Sequence, residues 1–168
     1  MSNNPSLPLA IHGWTIFAHP LFLDQLERLA EQVTLLKKKN ATDYIRKNAT
    51  KRLAAILQLA FDTIPQDPTR SEYRQGGALG AKHAHWFRAC FFQQYRLFFR
   101  YHQSSKVIIL GWVNDDHIKR AYESSKDAYR VFQNLLARGH PPTDWDALLL
   151  EAKSGQRRLR DMAALINP

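Results

Sequence analysis

Apolar residues along this chain change their period several times, and each change marks an element. From Leu21 to Lys39 they recur at Phe22, Leu26, Leu29, Val33 and Leu36, three and four apart. That spacing predicts an amphipathic helix, entered through Pro20 at its first position. A second helix is expected from Thr42 to about Asp62, with Ile45, Ala49, Leu53, Ile56, Leu57 and Ala60 on one side, packed antiparallel to the first. Ahead of the pair, "HGWTIFAHP" alternates Trp14, Ile16 and Ala18 with Thr15 and Phe17, a short strand. Three later runs also read as strands: "HWFRACFF" (85 to 92), "YRLFFRY" (95 to 101) and "VIILGWV" (107 to 113). Their short connections predict consecutive antiparallel hairpins. Asp127 to Arg138 restores the helical period through Ala128, Phe132, Leu135 and Leu136, with Gly139 where a left-handed residue commonly stops a helix. Pro141 and Pro142 enforce the break, and Thr143 or Asp144 caps a last helix carrying Trp145, Leu148 and Leu149.

The resulting order predicts an α+β fold: a small, mainly antiparallel β-sheet with an N-terminal helix pair and C-terminal helices packed on it. A chain of 168 residues suits a single domain. Residues 1–10, polar and proline-containing, read as a flexible lead-in, 12–152 as the core, and 153–168 as a basic tail more frayed than packed. "TIPQDPTRSEYRQGGALGAKHAH" reads as a long loop, and loops of that length in small domains go with function or mobility, which makes it a candidate active-site wall.

Charge adds a partner to this picture. Lys plus Arg number 24 against 15 for Asp plus Glu, a formal net charge of +9 and a pI near 9.9. Such an excess favours nucleic acid, an acidic protein or anionic lipid; a basic solvated surface is the bland alternative. The lone Cys90 excludes an intramolecular disulfide and a cysteine-held metal, and its apolar neighbours predict a buried, inert thiol. "MSNNPSLPLA" carries no leader pattern and no segment approaches membrane-spanning length, so a cytoplasmic protein with no membrane partner is expected by default. The seven histidines show no metal-site spacing and "GGALG" lacks the partners of a phosphate-cradling loop, so no cofactor or metal is expected.

The two-residue period of a strand divides "YRLFFRY" in two. Tyr95, Leu97, Phe99 and Tyr101 fall on one face and read as core; Arg96, Phe98 and Arg100 fall on the other, where guanidinium groups could pair with phosphate and Phe98 could stack a base. Arg88 shares a face with Trp86 and Cys90 on the preceding strand and can lie nearby. The bland reading pairs these arginines with helix carboxylates. His83 and His85 could be ligands or bases or merely exposed; His140, between Gly139 and Pro141, could be a general base or a partner for the helix end. Asp115 and Asp116 could hold magnesium or serve as cap and turn residues.

"HGWTIFAHP", "YRLFFRYHQSSKVIILGWVNDD", "KDAYRVF" and "ARGHPPTDW", in this order from about residue 12 to 148, resemble the YhaV toxins of type II PrlF–YhaV toxin-antitoxin systems, a branch of the RelE/ParE-like toxins. The resemblance implies a RelE-like sheet with helices and an endoribonuclease that cleaves mRNA, typically at the ribosome. It also implies neutralisation by a PrlF-like antitoxin and repression of the shared operon through operator DNA by the complex. Such toxins need no metal: the RNA 2′-hydroxyl attacks the adjacent phosphate while the protein supplies a base, an acid and cationic stabilisation of the phosphorane. Arg96 matches the catalytic-site arginine of the RelE motif "GYRL", and Tyr122 matches a C-terminal tyrosine loosely. Where RelE carries a further arginine after its last strand, this chain has Asn114, Asp115 and Asp116, so Arg88, Arg100, Lys106, Lys126 or His140 would have to compensate. The expected roles are therefore Arg96 on the phosphorane, Arg88 and Arg100 on the backbone, and His140 or Tyr122 exchanging protons. The competing expectation is a non-catalytic module, either a ParE-like inhibitor of a DNA-handling enzyme or a basic nucleic-acid binder, which needs the arginines but not His140 or Tyr122.

Overall fold

The computed structural model describes residues 7–115 and 125–166. Five strands, β1 (Leu9–Ile11), β2 (Trp14–Ala18), β3 (Phe87–Phe91), β4 (Tyr95–His102) and β5 (Val107–Val113), form one sheet in the order β1-β2-β5-β4-β3. β2 and β5 run parallel and every other pair antiparallel. Between β2 and β3 lie α1 (Pro20–Lys39), a short turn at Tyr44–Arg46 and α2 (Asn48–Gln58), which carry the chain from one side of the sheet to the far edge. Among the described residues three helices follow the sheet: α3 (Ser125–Ala137), α4 (Trp145–Lys153) and α5 (Gln156–Ala163). The α+β arrangement expected from the hydrophobic pattern is the observed one.

Local signals explain the boundaries. Pro20 opens α1, and the His19 Nδ1 accepts from the Leu21 N–H at 3.2 Å, satisfying one of the first turn's free donors. α2 runs on through a widened π turn at Leu59–Thr63 and a last turn at Ile64–Gln66, past the expected end near Asp62. Gly139 takes φ +78° after α3, with His140 N–H bonded to Leu135 O at 3.0 Å, the helix stop the sequence predicts. Asp144 is the cap of α4, its Oδ2 accepting from the Ala147 N–H at 3.0 Å.

Helices cover both faces of the sheet. On one, Ile16, Leu97, Phe99, Ile108 and Leu110 pack against Leu26, Leu29, Leu53 and Ile56 of α1 and α2. On the other, Phe17, Phe98, Ile109 and Trp112 pack against Phe132 and Leu136 of α3 and Leu148 of α4. Both alternate sets of a central strand are therefore apolar over their middle, which is why β5 reads as an unbroken hydrophobic run.

The described residues next to β2 and beyond α4 form further regular structure. β1, reaching back into the presumed lead-in, pairs with β2 through Leu9↔Ile16 and Ile11↔Trp14. The basic tail forms α5, with Leu159 buried and Arg158 bonded to Glu27 and, at 2.6 Å, to Asp24 of α1. Its apolar positions Leu159, Met162, Ala163 and Ile166 keep helical spacing, a stripe masked in the sequence by the intervening charges. The long loop is a fixed wall: Tyr73 and Leu79 are buried, and Gln75 donates to His83 O at 2.8 Å while accepting from Leu79 N–H at 2.9 Å. No described helix is long and apolar enough to cross a membrane.

Gly111 is the extra residue of a bulge, since Phe98 pairs with Trp112 and Phe99 with Leu110. A β-carbon there would lie 2.5 Å from the Trp86 ring. Gly111→Ala is expected to lower the unfolding free energy by about 1–3 kcal/mol through overpacking, measurable by urea denaturation. An unchanged midpoint would show that Trp86 can shift without cost.

Candidate functional site

Arg88, Arg96 and Arg100 share one face of β3 and β4. Arg88 is opposite Phe98 and Cys90 opposite Arg96 across the strand pair, so the arginines stand around Phe98 at the centre. Arg96 and Arg100 are separated along β4 by about 13 Å at the usual rise per residue. α3 covers the middle of this face at Phe98, and the three arginines flank that covered centre, each half-buried.

Phe98 corrects the sequence expectation. Its ring is fully buried, 4.4 Å from Phe132 and 6.0 Å from Trp112 in stacked geometry, so it cannot stack a base. The physical reason is the second helical layer: the face holding Arg96 and Arg100 is also a core face, and its central residue is the one α3 covers. Cys90 is the reverse correction. It is exposed, because it lies on the edge strand β3 beyond that cover.

The guanidinium of Arg96 donates to Gln93 O at 2.9 Å and Tyr95 O at 3.0 Å; its Nε is buried and has no partner among the described residues. Arg88 donates to the Tyr129 hydroxyl at 2.7 Å and to Glu72 O at 2.6 Å. Arg100 donates to Thr143 O at 2.5 Å and lies between the rings of Trp145 and Trp86, at 5.1 and 5.8 Å. Burial lowers the Arg100 pKa to about 10, against the opposing pull of Asp144, and leaves it protonated at neutral pH. Among the described residues, all three guanidinium groups thus bond only to neutral oxygens. Arg158, by contrast, is held by two carboxylates.

The remaining expected residues are dispersed. His140 is exposed on the turn after α3, near enough to His19 to disfavour that residue's protonation. Lys106 sits in the turn before β5 with φ +56°, its ammonium 4.8 Å from the Trp14 ring, at the opposite end of β5 from Arg96. Tyr122 and Asp116 lie outside the described residues, as does the side chain of Lys126.

Several supporting residues escape sequence reasoning. Asn114, buried where a further arginine was sought, accepts from Arg96 N–H at 2.7 Å and donates to Gln94 O at 3.0 Å, bracing the β3–β4 turn beneath Arg96. Tyr129 lies three residues before Phe132 on α3, a spacing that could have signalled the partner of Arg88. Of the two loop histidines that the sequence offered as candidate ligands or bases, His85 lies beside Arg100 and His83 Nδ1 is 3.3 Å from the Thr143 hydroxyl.

His19, His83 and His85 all hold their protons less tightly than free imidazole. Burial is the main cause in each; charge from Arg100 and His83 adds to it at His85, and Lys82 adds to it at His83. At His19 the contact with Glu151 at 3.3 Å opposes burial without overcoming it. A lowered folded-state pKa means that the unfolded chain binds protons the fold resists. Stability is then full above the ordinary histidine value of about 6.5 and falls as pH drops from there toward the folded-state values. Unfolding monitored between neutral pH and pH ~5 should show this decline, and His19→Gln should flatten it; an equal slope in the variant would remove His19 as a contributor.

A family model described as a toxin with endonuclease activity, of a toxin-antitoxin system, matches residues 16–153. The chain is 43% identical over 148 residues to the ribonuclease toxin YhaV of Escherichia coli K-12, covering 87% of this chain and 96% of that protein. Toxin YhaV of a uropathogenic Escherichia coli is equally similar over the same shares. No solved structure gives a significant match.

Proposed function

The chain belongs to the YhaV family of toxins with endonuclease activity, and from that membership we propose that it cleaves RNA through the arginine face of β3 and β4. The carrying observation is the bonding of Arg88, Arg96 and Arg100, whose guanidinium groups hydrogen-bond to neutral oxygens and to no carboxylate among the described residues. Three such cations on one sheet face form a seat for a phosphodiester backbone.

In this reading the RNA 2′-hydroxyl attacks the adjacent phosphorus, and the bond to the 5′-oxygen breaks, leaving a cyclic phosphate and a 5′-hydroxyl. Arg96 stabilises the charge that builds on the phosphorane, and Arg88 and Arg100 orient the chain. His140 and Tyr122 are the proposed proton-exchanging groups; His85, beside Arg100, is a third. The attacking group belongs to the substrate, so the reaction requires no metal-bound nucleophile. The biological substrate is mRNA, engaged at the ribosome in the cytoplasm. A PrlF-like antitoxin neutralises the toxin, and their complex binds operator DNA to repress its operon; the excess positive charge suits each of these polyanionic or acidic partners.

The chemistry is tested with purified protein, a defined RNA and ribosomes added or withheld. Cleavage should stop when the nucleotide 5′ of the cut carries a 2′-deoxyribose, and any cleavage of the RNA without ribosomes should persist in a chelator. Cutting of the deoxy-substituted RNA at that position would overturn the mechanism. Absence of cleavage with and without ribosomes would overturn the nuclease reading.

A further inference from the structure

Two-thirds of the net charge of +9 lies within sixteen residues, Lys37 to Arg52, where seven cations face the single carboxylate of Asp43. These residues form the tip of the helical hairpin: the end of α1, the turn at Tyr44–Arg46 and the start of α2. Lys37, Lys38, Lys39, Arg46, Lys47 and Lys51 are exposed, and only Lys47 reaches Asp43, at 3.4 Å.

Helix stability accounts for half of this cluster. Lys37, Lys38 and Lys39 end α1, where cations oppose the partial negative charge of the helix terminus. Arg46, Lys47 and Lys51 gather at the start of α2, where the terminus is partly positive and cations are unfavourable. That helix has no acidic residue in its first turn, and the side chain of Lys47 makes no capping hydrogen bond. Positive charge is concentrated against the local preference of the fold, as at a surface that receives an anion.

The tip is joined to the arginine face. Asn48 at the start of α2 donates to the Tyr95 hydroxyl at 3.5 Å, and Arg52 lies 5.0 Å from the Tyr95 ring. The Tyr95 carbonyl in turn accepts from Arg96. A cleft whose polar lining is Gln25, Arg28, Gln32, Arg52 and Asp115 opens beside Asn114, the residue that braces the Arg96 backbone. The start of α2 therefore adjoins the strand that carries Arg96.

We propose that the hairpin tip, Lys37 to Lys51, is a second RNA-binding surface that holds phosphates flanking the cleaved linkage. This rests on the nuclease reading above. The tip offers lysines and arginine to the backbone, while its one aromatic ring, Tyr44, is half-buried under Lys37 at 5.6 Å. Its contacts are therefore with phosphate and independent of sequence.

The test combines Lys38→Glu, Arg46→Glu and Lys51→Glu in one variant, with the matching glutamine variant as a milder control. Binding to a 2′-O-methyl RNA, which cannot undergo the proposed attack, is measured against salt, and unfolding midpoints establish that both variants fold. Charge reversal should weaken binding by about tenfold or more at low salt and flatten the logarithmic salt slope by about two, at ~0.7 per lost single-strand phosphate contact. The glutamine variant should move both quantities in the same direction by less. Affinity and slope equal to those of the native chain would overturn the proposal, as would lost binding to poly-glutamate with RNA binding intact, which would assign the tip to an acidic protein. A native chain that binds this RNA through the tip yet never cuts unmodified RNA would count against the nuclease reading alone.

Discussion

Arg96→Ala is expected to lower RNA cleavage by about two to three orders of magnitude, the scale on which a preorganised stabiliser of transition-state charge acts, and to remove growth arrest on induction. The fold should survive, because Arg96 contributes its guanidinium only to carbonyl oxygens at the β3–β4 turn. Asn114 bonds the Arg96 main chain and Gln94 O, so the turn keeps its brace when the side chain is cut back. A merely structural arginine would give the opposite pattern, a lowered unfolding midpoint with cleavage retained in the folded fraction. Arg96→Lys separates charge from shape: lysine keeps the cation but loses the planar fork that matches two phosphate oxygens, so only partial recovery is expected. Full growth arrest by Arg96→Ala at native expression would overturn the role assigned to this residue.

Phe98→Ala should damage the fold heavily, costing about 3–5 kcal/mol. That is a large share of the ~5–15 kcal/mol by which a domain is stable. The ring is the centre of an aromatic cluster with Phe132, Trp112 and, edge-on at 5.6 Å, Tyr129. Removing it leaves a cavity beneath α3 and loosens the helix whose Tyr129 hydroxyl holds Arg88. Urea unfolding of the variant would check the loss. Phe98→Leu, which keeps much of the volume, should recover part of the stability and cut RNA as the native chain does. A base-stacking role predicts instead that Phe98→Leu folds normally and binds RNA poorly, an outcome that would contradict the buried position.

How legible these positions were differs residue by residue. The sheet face of Arg96 could be read from the alternation of "YRLFFRY", because a strand's two-residue period assigns each side chain to a face. Phe98 was assigned to the correct face and the wrong environment. Alternation says which residues share a side of the sheet, but whether that side meets water depends on helices encoded later in the chain. Asn114, Tyr129 and Thr143 escaped for a related reason: each acts on an arginine eighteen or more positions away in sequence, and such partners become neighbours only when the strands and helices close over one another. The basic tail failed differently, its apolar stripe being diluted by charged residues that Asp24 and Glu27 of α1 balance only in the folded chain.

By itself the sequence determined the order of the elements from β2 to α4, the boundaries set by Pro20, Gly139 and Asp144, the excess of positive charge and the family. These are local or additive properties, carried by hydrophobic periodicity, backbone preference and composition. Tertiary structure alone decided that β2 lies beside β5, that both sheet faces are covered, and that Arg88, Arg96 and Arg100 surround a buried phenylalanine with neutral oxygens for partners. It also decided that the start of α2 packs on the Tyr95 side chain, through Asn48 and Arg52. The reason is that burial and proximity are properties of pairs of surfaces, and neither surface of a pair specifies the other until the chain has packed.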